Sequence, residues 1–156
     1  LLQCHWLSKH QNLLLTGPCG SGKTYLACAL AHTACMKGYN VKYYRLSRLL
    51  LALRQAKADG TYSKLLIHLA KQDLLILDDW GLEPLDSAQR NDVMEIMDDR
   101  NDTSSTVIIS QLPVDQWHQS IGDNTLADAI LDRLVHNAHR MPLKGASLRQ
   151  LQPEVD

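Results

Sequence analysis

A short glycine-rich segment carries the residues with the clearest chemistry. The run Gly17-Pro-Cys-Gly-Ser-Gly-Lys-Thr24 matches the pattern G-x-x-x-x-G-K-[ST] without a mismatch. Glycines let the backbone curl so that successive amide groups converge on phosphate oxygens. Lys23 would neutralise charge on the β- and γ-phosphates of a nucleotide, and the Thr24 hydroxyl is a hard oxygen ligand suited to Mg²⁺. The predicted nucleotide-binding residues are Gly17, Pro18, Cys19, Gly20, Ser21, Gly22, Lys23, Thr24 and Tyr25.

Two adjacent carboxylates follow an entirely apolar run. Leu74-Leu-Ile-Leu leads directly into Asp78 and Asp79, and a carboxylate at the carboxyl end of a buried strand matches the Mg²⁺-holding Walker B element. We expect Asp78 to hold the metal through water, because Mg²⁺ keeps much of its hydration shell. Asp79 stands where hydrolytic phosphate-loop ATPases usually carry a Glu that polarises the attacking water. The alternative is that Asp79 only caps a turn.

Two polar residues follow another predicted strand. The strand runs from Thr106 to Ser110 and stops before Pro113. In phosphate-loop proteins with an extra strand inserted between the first and third strands, this strand would lie beside the phosphate loop. Ser110 or Gln111 would then sense the γ-phosphate, or else satisfy backbone groups before the proline. The sequence favours neither interpretation.

Arg133 is a candidate cation for charge that develops on a transferred phosphoryl group. It lies in the predicted helix that begins at Asn124, at one edge of the apolar stripe, from which a long side chain can reach a neighbour. A site built from one chain usually lacks such a cation, and an arginine from a neighbouring subunit supplies it. The alternative is an exposed ion pair between Asp132 and Arg133, which is the commoner fate of such residues.

The elements that must position these groups alternate between strands and helices. Apolar strands that alternate with helices indicate a parallel sheet covered on both faces. The glycine-rich loop falls between the first strand and the first helix, which is the context that its motif requires. The predicted strands are 12–16, 41–45, 74–77, 106–110 and 140–144, and the predicted helices are 23–37, 46–58, 61–71, 87–100 and 124–139.

Length and composition indicate one globular domain, residues 1–156. The chain is 45% hydrophobic and 21% charged, which excludes a disordered protein. No run approaches the roughly 18 uncharged apolar residues of a membrane span, and no signal sequence opens the chain. Four cysteines without metal-ligand spacing predict reduced thiols and a cytoplasmic location. Because the first residue is not Met and a strand begins within the first dozen positions, we expect a fragment of a longer protein.

Charge is unevenly distributed along the chain, although the formal net charge is −1. Residues 1–58 contain eight lysines and arginines and no acid, whereas residues 59–132 contain 15 acids and four bases. A positive face could hold the phosphates of DNA or RNA, and faces of opposite sign could dock head to tail in an oligomer. The alternative is that folding intermixes these charges in space.

Further motifs join the phosphate loop and the acidic pair into one family pattern. They are Asp78-Asp-Trp-Gly-Leu82, Gln89-Arg90, Ser110-Gln-Leu-Pro113, Trp117-His118, Ile121-Gly-Asp123 and Leu126-Ala-Asp-Ala-Ile-Leu-Asp-Arg-Leu-Val-His-Asn137. From about Asn12 to Gln150 the chain resembles the IstB family, the AAA+ ATPases encoded beside the transposase in a class of bacterial insertion sequences. It is similar also to the helicase loader DnaC, but the longer C-terminal motifs are specific to the IstB side.

The resemblance implies a fold, cofactors and partners. The fold is a three-layer α/β/α phosphate-loop NTPase of the AAA+ type, with a five-stranded parallel sheet in the order 5-1-4-3-2. ATP and Mg²⁺ are the implied cofactors. The implied activity is ATP hydrolysis at the subunit interfaces of a homo-oligomer that assembles on DNA, expected to be duplex. This assembly would select target sites and stimulate the transposase of the same element, without a membrane partner.

The resemblance also bears on single residues. Asp-Asp is the usual Walker B ending in that family, so Asp79 joins Lys23 as an expected catalytic residue. The Asp-Arg motif resembles the family's intersubunit arginine finger, which favours a catalytic role for Arg133. Arg149 falls where the family has a basic residue near the nucleotide or a subunit contact, and it is therefore a further sensor candidate.

Departures from the family pattern leave part of this function open. Asn101-Asp102-Thr103 replaces a Tyr and a nearby basic residue, and Ala146 replaces the Glu of a Lys-Gly-Glu-Ser motif. We expect the family's small N-terminal domain to be missing from this chain, so that recruitment of a transposase is open. The alternative function is a helicase-loading adaptor in DNA replication, in which ATP acts as a switch for protein and single-strand binding. A phosphotransferase is a more distant possibility, because no separate substrate lid is evident.

Overall fold

Five parallel strands form one sheet in the computed structural model, which describes residues 3–144. The strands are β1 (Asn12–Thr16), β2 (Val41–Arg45), β3 (Leu74–Asp78), β4 (Ser105–Ser110) and β5 (Ala138–Pro142). Their order is β2-β3-β4-β1-β5, and every neighbouring pair is parallel. This is the predicted order 5-1-4-3-2 counted from the other edge, so the expected sheet is confirmed.

Helices connect the strands and cover the sheet. They are α1 (His5–Ser8), α2 (Lys23–Met36), α3 (Leu46–Asp59), α4 (Tyr62–Ala70), α5 (Ser87–Arg100), α6 (Trp117–Ile121) and α7 (Asn124–Val135). The predicted helices correspond to α2, α3, α4, α5 and α7. The sequence did not predict α1 and α6, because four or five residues are too few to show a helical period. Among the described residues, no helix combines the length and the apolar character that crossing a membrane requires.

Two hydrophobic clusters, one on each face of the sheet, produce the three layers. Strands β1, β3 and β4 are buried along their whole length, as expected for parallel strands covered on both sides. On one face Leu13 and Ile76 pack with Leu30 of α2. On the opposite face Leu14 and Leu77 pack with residues of α3, α5 and α7. Adjacent strand residues point to opposite faces, so each strand contributes to both clusters.

The last helix and the last strand differ from their predicted bounds. α7 ends at Val135 and β5 begins at Ala138, so the predicted helix to His139 is too long and the predicted strand begins two residues late. The Asn12 side chain donates hydrogen bonds to two carbonyl oxygens in the last turn of α7, at 3.1 and 3.3 Å. Its backbone N–H bonds the Asn137 carbonyl at 2.9 Å. A longer helix would need those acceptors for its own N–H groups, and the contacts with β1 end it.

A buried arginine ties the helical layer to the sheet. Arg100, the last residue of α5, is 2% exposed. Its guanidinium donates to the carbonyl oxygens of Leu69, Gln72 and Ser105 at 2.5–2.8 Å, and to the Thr106 hydroxyl at 3.0 Å. Burial lowers the pKa of Arg100 to about 10, so the group stays cationic at neutral pH. The carbonyl dipoles offset the cost of burying its charge.

Replacing this arginine should destabilise the fold. Arg100→Ala would leave three buried carbonyl oxygens without their donor, and we expect the free energy of unfolding to fall by about 3 kcal/mol. Urea denaturation followed by circular dichroism measures the change. Arg48→Ala, at an exposed position of α3, is the control and should change stability by less than about 0.5 kcal/mol. Equal stabilities for the two variants would contradict the role assigned to Arg100.

Candidate nucleotide-binding site

The glycine-rich loop curls between the end of β1 and the start of α2. Gly20 and Gly22 have φ values of 80° and 94°, in the left-handed region that glycine adopts without strain. Gly22 is the N-cap of α2, so the loop leads directly into the positive end of the helix dipole. The amide of Gly17 donates to the Ser110 carbonyl at 3.1 Å. The loop is therefore held at the carboxyl edge of the sheet, between the ends of β1 and β4.

Lys23 lies inside this loop rather than in solvent. Its side chain is folded back so that Nζ donates to the carbonyl oxygens of Gly17 at 2.6 Å and Pro18 at 2.9 Å. The residue is 8% exposed. The ammonium group thus lies against the loop backbone, and the loop leads into the N-terminus of α2. A phosphate at this position would meet a cation and a helix N-terminus together.

A buried hydroxyl without a hydrogen-bond partner indicates that the loop is suited to a phosphate. Ser21 is buried, and its Oγ has no hydrogen-bond partner among the described residues. A hydroxyl buried in this way costs free energy unless a ligand or water satisfies it. The donor-rich set of ammonium, hydroxyl and amide groups is suited to an anion. The loop therefore fits the triphosphate expected from its motif, whereas Thr24 and Tyr25 follow it with exposed side chains.

The two acidic residues lie at the end of β3 and are held by different donors. Asp78 is 7% exposed; its Oδ1 accepts the Asp79 amide at 2.7 Å, and its Oδ2 accepts the Tyr43 hydroxyl. Asp79 has a φ of 58°, a left-handed conformation that Asp tolerates better than most residues. Its Oδ2 forms an ion pair with Arg45 Nε at 3.1 Å. Both carboxylates are thus contacted by side chains of the neighbouring strand β2.

Tyr43 acts as a hydrogen-bond donor to Asp78. Partial burial, followed by the hydrogen bond to the carboxylate, raises the pKa of the Tyr43 hydroxyl above its usual value. The phenol therefore keeps its proton at neutral pH. Sequence patterns did not identify Tyr43 or Arg45 as site residues. Both are far from Asp78 in the sequence, and only the pairing of β2 with β3 brings them into contact with the acidic residues. The only sequence feature that could have indicated them is that a polar residue, Arg45, ends β2.

The sensor candidates differ in what the structure shows of them. Ser110 is buried, and its Oγ donates to the Trp80 carbonyl at 2.5 Å and accepts the Leu112 amide at 3.0 Å. These contacts are the backbone role that was the alternative to sensing. Gln111 is exposed. Arg149 lies outside the described residues.

Arg133 is paired within its own chain. Its Nε lies 2.9 Å from Asp98 Oδ1 on α5, and its Nη1 donates to the Ala129 carbonyl at 3.0 Å. The partner is therefore not Asp132, as the surface-pair alternative assumed. The two charged side chains remain partly exposed, and such a pair contributes little to stability. Breaking the contact between Arg133 and Asp98 therefore costs little free energy, so Arg133 is able to contact another anion.

The strand order, the loop after β1 and the acidic pair at the end of β3 define a phosphate-loop domain of the AAA+ type. The domain comprises the described sheet and the helices on its two faces. The chain belongs to the IstB-like ATP binding protein family, whose model matches residues 1–154.

Curated relatives support this assignment. The chain is 54% identical over 147 residues to the putative insertion sequence ATP-binding protein y4pL of Sinorhizobium fredii, covering 94% of this chain and 60% of that protein. It is 33% identical to the insertion sequence IS21 putative ATP-binding protein of Pseudomonas aeruginosa, covering 92% of this chain and 54% of that protein. The chain thus spans less than two thirds of the length of these relatives.

Solved structures share the fold at low sequence identity. The crystal structure of the DnaC helicase loader matches with a TM-score of 0.77 at 22% identity, covering 92% of this chain and 84% of that one. AMPPCP-bound DnaA from Aquifex aeolicus matches with a TM-score of 0.71 at 20% identity, covering 91% of this chain and 43% of that one. At this identity the likeness shows a common fold alone.

Substitution of Gly17 should disturb the loop more than substitution of Gly20. A Cβ at Gly17 would lie 2.5 Å from the Leu143 carbonyl oxygen and 2.9 Å from Ser21 Oγ, whereas a Cβ at Gly20 meets nothing within 4 Å. Both glycines have positive φ, so Gly20→Ala should cost about 1 kcal/mol through backbone strain alone. Gly17→Ala should cost about 3 kcal/mol because the clash is added. Chemical denaturation measures both, and equal losses would contradict the tight junction at Gly17.

Proposed function

We propose that the chain is the ATPase domain of an insertion-sequence transposition helper. It binds ATP and Mg²⁺ at the loop between β1 and α2, assembles as a homo-oligomer on duplex DNA, and stimulates the transposase of the same element in target selection. The observation that carries the proposal is the anion cradle around Lys23 and Ser21 in a chain of the IstB-like family. The names of the insertion sequence relatives support this setting.

The donors of the loop explain how ATP would bind. Lys23 would exchange two loop carbonyl oxygens for oxygens of the β- and γ-phosphates, since a bond between two charged groups is stronger than one to a neutral carbonyl. The Ser21 hydroxyl and the amides at the start of α2 would donate to the same phosphates. The proposed nucleotide site is the whole segment 17–25. Tyr25, which is 72% exposed, would lie at its rim.

Thr24 and Asp78 are the proposed magnesium-holding residues. They provide a hydroxyl and a carboxylate, which are hard oxygen donors of the kind Mg²⁺ prefers. When bound, the ion would neutralise charge on the β- and γ-phosphates. Within the described part of the chain, no group of three or more His, Cys, Asp or Glu side chains could hold a metal. The proposed ion therefore depends on phosphate oxygens and water for its other ligands.

Hydrolysis needs a group that polarises water and a cation for the transferred phosphoryl group. Asp79 is the proposed catalytic carboxylate, and Arg45 orients it through the ion pair between the two strands. Arg133 is the proposed cation, given to the site of a neighbouring subunit in exchange for its contact with Asp98. The three sensor candidates are Ser110, Gln111 and Arg149.

Charge supports DNA as a partner. Arg48 and Arg54 are exposed on α3, and exposed cations of this kind can neutralise DNA phosphates. Folding also mixes the basic and acidic segments of the sequence, because Arg45 pairs with Asp79 and Lys57 with Asp92. The basic surface is therefore a local feature of α3 rather than of a whole half of the chain. The proposed location of such a DNA-bound protein is the cytoplasm.

A helicase-loading adaptor is the second candidate function. The observation that favours it is the TM-score of 0.77 with the DnaC helicase loader over 92% of this chain. Family membership favours the transposition helper. The preferred form of DNA separates the two, because a loader is expected to prefer single strands.

Light scattering with and without DNA tests the proposed function. With a nonhydrolysable ATP analogue and duplex DNA, we expect the chain to form a species much heavier than the monomer, because bound nucleotide completes the contact between subunits. Lys23→Ala should stay monomeric, since it loses the cation that holds the phosphates. Lys9→Ala, at an exposed position outside the loop, is the control and should assemble like the unmodified chain. Assembly on single strands alone would favour the loader, and assembly that ignores nucleotide would contradict the proposal.

Arg133→Ala should separate binding from hydrolysis. We expect this variant to bind labelled ATP normally but to lose turnover by about 10³-fold or more, because the arginine acts on the transferred phosphoryl group only. Mixing it with Asp79→Asn should restore part of the activity. At a mixed interface, the Arg133→Ala subunit supplies Asp79 and the Asp79→Asn subunit supplies Arg133. Phosphate release from the single and mixed variants measures both effects. Failure of the folded mixture to regain activity would count against catalysis between subunits.

A further inference from the structure

Strand β2 is the edge strand next to β3, whose end carries the acidic pair. Within residues 3–144 it pairs with β3 alone, with Tyr43 opposite Ile76 and Arg45 opposite Asp78. Alternate residues of a strand share a face, so Tyr43 lies on the face that carries Ile76 and Asp78. Ile76 belongs to the cluster that packs with α2. This is the face from which α2 begins with Lys23 and Thr24.

Tyr43 is the side chain that reaches Asp78 from this strand. Its hydroxyl donates to Asp78 Oδ2, while the Asp79 amide donates to Oδ1 at 2.7 Å. Two donors on the two oxygens fix the plane of the carboxylate. The hydroxyl therefore contacts one of the two proposed magnesium-holding residues directly.

A second tyrosine–aspartate pair differs from Tyr43 and Asp78 in whether the carboxylate has a cationic partner. Tyr62 donates to Asp92 Oδ1 at 2.7 Å, and Lys57 Nζ lies 2.8 Å from the same oxygen. The charge of Asp92 is thus neutralised by a lysine of the chain. Among the described residues, Asp78 has neutral donors but no ion-pair partner within 4 Å. A buried carboxylate that accepts only neutral donors is suited to a bound cation.

We propose that Tyr43 is a positioning residue, which orients the Asp78 carboxylate so that it holds Mg²⁺. This inference rests on the proposed function of Asp78. In this role the tyrosine would contact neither nucleotide nor reacting atoms. It acts through the carboxylate, as residues hydrogen-bonded to a metal-holding group do, and loss of such a contact commonly weakens metal affinity by about 10- to 100-fold.

Tyr43→Phe tests the proposal, because it removes the hydroxyl and keeps the ring. A fluorescent ATP analogue is titrated with Mg²⁺, and the Mg²⁺ concentration at half-maximal change in analogue binding is measured. We expect this concentration to rise about tenfold or more in the variant. Binding of the analogue in EDTA should stay unchanged, because Tyr43 donates to no phosphate-binding group of the loop. The lost hydrogen bond should lower the melting temperature slightly.

Tyr62→Phe is the matched control. It loses the same kind of hydrogen bond and should lower the melting temperature without changing the Mg²⁺ requirement. An unchanged or lowered Mg²⁺ requirement in Tyr43→Phe would overturn the positioning role and leave the proposed function intact. If the unmodified chain itself binds the analogue with no response to Mg²⁺, the proposed metal site fails, and the inference fails with it.

Discussion

The burial of one ammonium group is the constraint on which the nucleotide site depends. Lys23 is almost enclosed, and its charge is compensated by two carbonyl oxygens of the loop that surrounds it. An ammonium group buried without such partners costs several kcal/mol. The loop must therefore curl back over the lysine, and the positive φ values of Gly20 and Gly22 permit that path. The hydrogen bond that the Gly17 amide donates to the Ser110 carbonyl of β4 then holds the loop at the edge of the sheet.

The acidic side of the site depends on strand order in a similar way. Because β2 pairs with β3 at the sheet edge, Tyr43 and Arg45 come within reach of Asp78 and Asp79. The two carboxylates differ in environment as a result. One is buried and held by neutral donors, and the other is paired with an arginine. The proposed function assigns them different roles, holding a metal ion for Asp78 and polarising water for Asp79.

The sequence predicted the parts of the structure that depend on local pattern. Apolar runs and helical periods identified the five strands and the longer helices, and the loop motif located Lys23 together with its strand and helix. Contacts between distant segments were not predictable. The hydrogen bonds from Asn12 end α7 early, Tyr43 and Arg45 meet the acids only through strand pairing, and Arg133 pairs with Asp98 across two helices. Each of these depends on tertiary packing, which has no period in the sequence.

Calorimetric titration of the folded chain with ATP in the presence of Mg²⁺ tests whether the loop binds phosphates. The amide, hydroxyl and ammonium donors of the loop should bind a triphosphate, and we predict a saturable heat with one nucleotide per chain. Replacing ATP by adenosine should abolish that heat, because the cradle recognises the phosphates. If well-folded protein produces no heat with millimolar ATP, or binds adenosine equally well, the loop is not a phosphate site.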